Sequence, residues 1–169
     1  MKLIYYLCAL AVVIVGCTRQ TPVPLHWDTL SVSGEMEYQP YLEVGNATIM
    51  GQAFLTQRGG GVVKAAGRTV TLDPATSLGK EWWQKVGGNW STRSVTPPSA
   101  AFKKARRTTV ADADGRFKFK DLPPGQYYIR TEVTWEVPSG RYSSSMEGGL
   151  VGQLVEVQSG QTKEVIVTY

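Results

Sequence analysis

Apolar residues at every second position mark out short strands along most of this chain. Thr48, Met50, Gln52, Phe54 and Thr56 alternate with Ile49, Gly51, Ala53 and Leu55, so 47–56 reads as a strand. Gly51 within it marks a bulge or a close backbone approach. Arg58-Gly59-Gly60-Gly61 reads as a flexible hairpin loop, because it lacks the lysine-and-hydroxyl ending of a phosphate loop and no helical pattern follows it. Short strands are expected at 62–66 and 68–72, joined through Gly67. Thr109, Ala111 and Ala113 alternate with polar neighbours, as do Phe117 and Phe119 beyond Asp114-Gly115, which predicts a hairpin turn. Leu122-Pro123-Pro124-Gly125 stops the next strand, since proline offers no backbone donor and Gly125 permits a reversal. From Gln126 to Val137 a third strand places Tyr127, Ile129, Thr131, Val133 and Trp135 on one face, opposite Tyr128, Arg130, Glu132, Thr134 and Glu136. Together these predict a three-stranded meander whose apolar side needs a second sheet to cover it. A long polar connection, 138–149, is a natural place for function. Strands at 150–158 and 162–169, with a hairpin turn at Ser159-Gly160, close the fold.

The stretch Ala111–Arg130 resembles the signature of carboxypeptidase regulatory-like domains, which are prealbumin-like β-sandwiches. Asp112, Gly115, Phe117, Phe119, Leu122, Pro123, Gly125, Tyr127 and Ile129 carry the resemblance. Gly51–Phe54 and Gly67–Leu72 resemble the family's opening strands. The expected fold is therefore all-β: an antiparallel sandwich of seven or so strands, transthyretin- or immunoglobulin-like, over 48–169. Asp114, Gly115, Pro123 and Gly125 are its expected turn residues. The resemblance implies a non-catalytic module and is nearly silent on what it binds.

The N-terminus changes the picture. Lys2 precedes an apolar run from Leu3 to Val15, too short to span a bilayer comfortably and suited to an export signal. Ile14-Val15-Gly16-Cys17 resembles the bacterial lipobox, which implies removal of residues 1–16 and lipidation of Cys17. Among bacterial lipoproteins, Thr18 in place of an aspartate implies transfer to the outer membrane. Cys8 leaves with the signal and Cys17 is acylated, so no thiol remains for a disulfide, a metal or catalysis. Several acyl chains make such an anchor effectively permanent. The net charge of +4 commits the chain to no particular partner.

Residues 17–47, rich in Pro, Ser and Gly and without sustained periodicity, read as a tether. Leu25-His26-Trp27 and Tyr38–Leu42 are aromatic enough to dock on the domain's own edge, on a partner or on the membrane interface.

An insert, 73–107, interrupts the family pattern. Asp73 and Pro74 stand as N-cap and first residue of a short helix near 75–86, with Leu78, Trp82 and Val86 on one stripe. Trp82, Trp83 and Trp90 are three of the five tryptophans in the chain, and Lys103, Lys104, Arg106 and Arg107 follow. Two readings stay open. The insert caps the sandwich with Trp82 as a plug, or Trp83, Trp90 and the four cations form a binding surface. The basic run is too short, and the envelope the wrong place, for nucleic acid. It would suit an acidic polymer or partner, or simply guard a strand edge.

The sole histidine, His26, lies in the tether, so no His-based triad forms. Asp112-Ala113-Asp114-Gly115 lacks the further acids of a calcium loop. No enzyme, metal site or cofactor is expected. The expectation is an outer-membrane-anchored binding or scaffolding lipoprotein with an unidentified envelope protein or polymer partner. One alternative is a carbohydrate- or envelope-polymer-binding module, in which exposed Trp83 or Trp90 stacks on sugar rings. Another is a secretion-system lipoprotein of transthyretin-like fold.

Overall fold

A computed structural model of the chain describes residues 32–84 and 99–168. The lipobox with Cys17, the His26–Trp27 patch, Val86 and Trp90 lie outside these residues. Eight strands form two four-stranded sheets, so the expected sandwich is observed. In the first sheet β1 (Ala47–Thr56) pairs antiparallel with β5 (Arg116–Leu122), and over its last three residues with β2 (Val62–Lys64). The second sheet runs in the order β4 (Arg107–Val110), β3 (Thr69–Pro74), β6 (Gly125–Pro138), β7 (Ser144–Val157). β8 (Thr162–Val167) pairs with β1 in parallel, which departs from the all-antiparallel expectation.

The core lies between the sheets and is made by the alternation itself. Ile49, Leu55, Val70, Leu72, Ile129 and Val167 are fully enclosed there. At roughly 25 cal/mol per Å2 of apolar surface, each such side chain contributes about 1.5–3 kcal/mol. The Tyr127 hydroxyl donates to the Pro123 carbonyl oxygen at 2.7 Å. That buried bond returns to the backbone just upstream and pins the corner between β5 and β6, as tyrosine corners do in immunoglobulin-like sandwiches.

The predicted meander is not formed. β4 and β6 belong to the second sheet and β5 to the first, so both tight connections cross the sandwich. The turn itself is as tight as expected. Gly115 sits at φ 75°, and the Asp112 carboxylate accepts from the Asp114 and Arg116 amides, each at 2.8 Å. A Cβ on Gly115 would stand 2.6 Å from the Ala53 carbonyl oxygen, so β1 passes too close for a side chain. Ser159-Gly160 likewise leads from β7 to a strand in the other sheet. Alternation tells which face of a strand is apolar, and both sheets offer an apolar face to the same core.

Other expectations change in extent. The polar connection at 138–149 shrinks to 139–143, because β7 begins at Ser144 and pairs with β6 all the way to Pro138. Part of the stretch expected to be tether is helical: α1 (Val32–Met36) and α2 (Gln39–Leu42) lie within it. Tyr38, between them, is fully buried, and burial pushes its phenol up to about 12.

Candidate functional site

The described parts of the insert form a third layer. Asp73 and Pro74 complete β3 instead of starting a helix, and α3 (Ser77–Trp82) is capped by Thr76, whose side chain accepts from the Gly79 amide at 3.0 Å. A second short helix, α4 (Ala100–Ala105), occupies the basic stretch. Leu78, Trp82, Phe102 and Ala105 pack with Tyr38 into a separate apolar cluster. It covers the outer face of the second sheet, where Asp73 and Arg130 project.

What keeps Asp73 out of a helix is a partner 33 residues away. Arg106 Nε and Nη2 donate to its two carboxylate oxygens at 2.6 and 2.9 Å. The Asp73 side chain is 1% exposed. Burial pushes its carboxyl above the usual range, while Arg106 and Arg130 oppose the shift. Both guanidiniums also lie over the Trp82 ring, at 5.2 Å for Arg106 and 4.5 Å for Arg130. Trp82 is 3% exposed and serves as the plug.

The predicted binding residues therefore fall into separate places. Arg106 is engaged in the buried ion pair and over the Phe102 ring, so it does not belong to an open basic run. Lys103 and Lys104 are exposed on α4, and Arg107 is half-buried at the start of β4. Trp83 lies face to face with Tyr128, ring centres 4.5 Å apart and planes 10° from parallel. Its edge rests over Gly152, where a Cβ would meet Cη2 at 2.6 Å. One face of Trp83 is thus already taken. Asp114, in the turn, holds Lys64 and Arg116, each at 2.7 Å. Gly125 faces the Tyr41 ring, with space for no side chain between them.

Two grooves open elsewhere. One, about 610 Å3, runs across β1, β4, β5 and β8 between Gln52, Asp112, Arg116, Lys118 and Glu164. Its only aromatic lining residue, Phe117, is buried at 5% exposure. The other, about 690 Å3, is lined by Gln57, Arg58, Gly59, Trp135, Val137 and Glu147.

Strand lengths explain the second groove. β6 and β7 are 14 residues each, whereas β3 pairs with β6 only from Tyr127 to Arg130, and β1 has 10 residues. The β6–β7 ribbon therefore runs past the end of the sheet that faces it. Along its inner face Tyr127, Ile129 and Val133 are covered, while Trp135 and Val137 stay half-buried. Glu147 pairs directly with Trp135 and so shares that face. The β1–β2 loop forms the opposite wall, closed by Gln57 N–H to Gly61 O at 2.7 Å and Gly60 N–H to Gln57 O at 2.9 Å. Alternation puts Trp135 on the apolar face with Ile129 and Val133 and does not distinguish it from them. The signal was the length of the alternating run, which exceeds that of any strand available to cover it.

No protein-family model matches this chain, and no curated protein matches it. Solved structures do. A crystal structure of a candidate carbohydrate binding protein from Pseudomonas aeruginosa is 28% identical, with a TM-score of 0.70, over 85% of this chain and 99% of its own. The major pilin subunit of Bacillus cereus is similar at 16% identity and a TM-score of 0.41, over 74% of this chain and 29% of its own. A streptococcal ancillary pilin is similar at 12% identity and a TM-score of 0.31, over 74% and 30%. The class defined by this fold is an all-β sandwich with a short helical layer on one outer face.

Proposed function

We propose that this protein is a non-catalytic carbohydrate-binding module of the cell envelope, held at the outer membrane by lipid on Cys17. The observation that carries the carbohydrate reading is the similarity to the Pseudomonas aeruginosa protein, which runs almost the full length of that chain. The mixed polar and aromatic lining of the overhang groove supports it, because sugars present apolar C–H faces and hydroxyl edges together. The lipobox-like Ile14–Cys17 supports the anchor, and the Asp112–Ile129 signature supports a relation to carboxypeptidase regulatory-like modules.

Two measurements test this. Purified full chain should be retained on at least one immobilised polysaccharide and leave it unaltered; passage through every one of them contradicts binding, and shortening of the polymer contradicts the non-catalytic role. Radiolabelled palmitate should enter the wild-type chain and not Cys17→Ser; equal labelling of both contradicts the anchor.

A further inference from the structure

The carbohydrate reading does not say where the sugar sits, and the Trp-bearing insert is the obvious place to look. The geometry points to the opposite conclusion: we infer that a pyranose ring of a neutral glycan stacks on Trp135, in the groove between the β1–β2 loop and the overhanging end of the β6–β7 ribbon. This inference rests on the carbohydrate reading and deepens it.

Three observations carry it. First, Trp135 is an aromatic that the sandwich positions and then leaves only partly covered. Its inner side packs against the core, which fixes the ring, and no other ring stacks on it among the described residues. A Cβ on Gly148 would stand 2.7 Å from Trp135 Cζ3, so the indole lies across the ribbon only because that position has no side chain. Trp83, by contrast, has spent a face on Tyr128. Second, the rest of the lining supplies what hydroxyls need. Gln57 can donate and accept, Arg58 donates, and Glu147 accepts. Trp135 and Val137 are the apolar lining residues, too few for the apolar face of a peptide helix. Third, one cation and one anion in the lining offset each other, so nothing in the groove selects an acidic polymer. The volume of about 690 Å3 lies within the range of small-ligand sites.

The test is affinity electrophoresis of the full chain, in non-ionic detergent, through gels containing hydroxyethyl cellulose, amylose, glycol chitin or alginate. At least one of the three neutral polymers should retard the wild type, and alginate less. Trp135→Ala should weaken that retardation at least tenfold. Arg58→Ala and Glu147→Gln, both at exposed positions where folding is undisturbed, should weaken it about threefold or more. Trp83→Ala should leave it within twofold. The inference is overturned if the wild type binds and the three groove variants bind as well as it does. It is equally overturned if Trp83→Ala alone abolishes retardation, or if only alginate retards the protein. Should no polymer retard the wild type, the carbohydrate reading fails and the assignment of its site fails with it.

Discussion

Trp83 and Trp135 both lie at the surface of the second sheet, yet the fold gives them opposite circumstances. Trp83 follows directly on a short helix laid on the outer face, and it ends ring to ring with Tyr128. Trp135 belongs to a strand whose partner sheet stops short, and it faces Gln57, Arg58 and Glu147. The lesson is that an aromatic becomes a binding group through what fails to cover it. Richness in tryptophan is a poor guide, since the insert uses Trp82 to close a layer and Trp83 to secure it.

The comparison breaks most sharply at the plug. Trp82→Ala should cost about 3–5 kcal/mol, as burial of a large aromatic demands. Urea unfolding read by circular dichroism checks this, with Trp135→Ala expected to cost less because its ring is only partly covered. Equal costs would mean that the insert and the overhang are covered alike.

The ion pair beneath the plug should come next. Arg106→Met leaves the Asp73 carboxylate buried without its principal cation, at about 3 kcal/mol or more. The double variant Asp73→Leu, Arg106→Met should recover most of that loss. The pH dependence has a defined sign. Burial already raises the carboxyl in the folded protein, so the stability this group contributes is full below its unfolded value and is lost as pH rises through the folded value. Removing Arg106 enlarges the shift. The stability gap between wild type and Arg106→Met should therefore narrow as pH falls from 7 towards about 4, near the ordinary aspartate value. A gap that widens on acidification would contradict the assignment.

Much of the fold is legible in the chain. Each strand overlaps a stretch expected to be extended, and 47–56 coincides with β1, but the first six residues of β7 fall in the stretch expected to be a polar connection. What local pattern leaves open is the sheet each strand joins. Asp114-Gly115, Leu122–Gly125 and Ser159-Gly160 are tight turns, but a tight turn can lead to a neighbour in the same sheet or across the core. The reading of Asp73-Pro74 as a helix start fails for a non-local reason, since Arg106 draws the carboxylate into an extended strand. Asp121 is a comparable case: at φ 56° it takes up the register shift between β1 and β5, and no turn signature announces it. The candidate site is only half legible in the chain. The insert stands out by its composition, whereas Trp135 depends on the relative lengths of strands far apart in sequence.

Smaller in effect is Gly115→Ala. The left-handed backbone costs about 1–2 kcal/mol with a side chain, and contact with the Ala53 carbonyl adds to it. Smallest of all, Tyr128→Ala should cost about 1 kcal/mol through the lost ring stack. It should shift tryptophan emission to the red while leaving glycan affinity unchanged. A fall in affinity with Tyr128→Ala would move the site back towards the insert.

The most direct measurement is a heteronuclear NMR titration of the full chain, labelled at its five tryptophan indoles, with the glycan that retards it most. The Trp135 indole signal, assigned from its absence in Trp135→Phe, should move furthest, with that of Trp83 nearly still. A spectrum in which Trp83 moves and Trp135 does not would contradict the account.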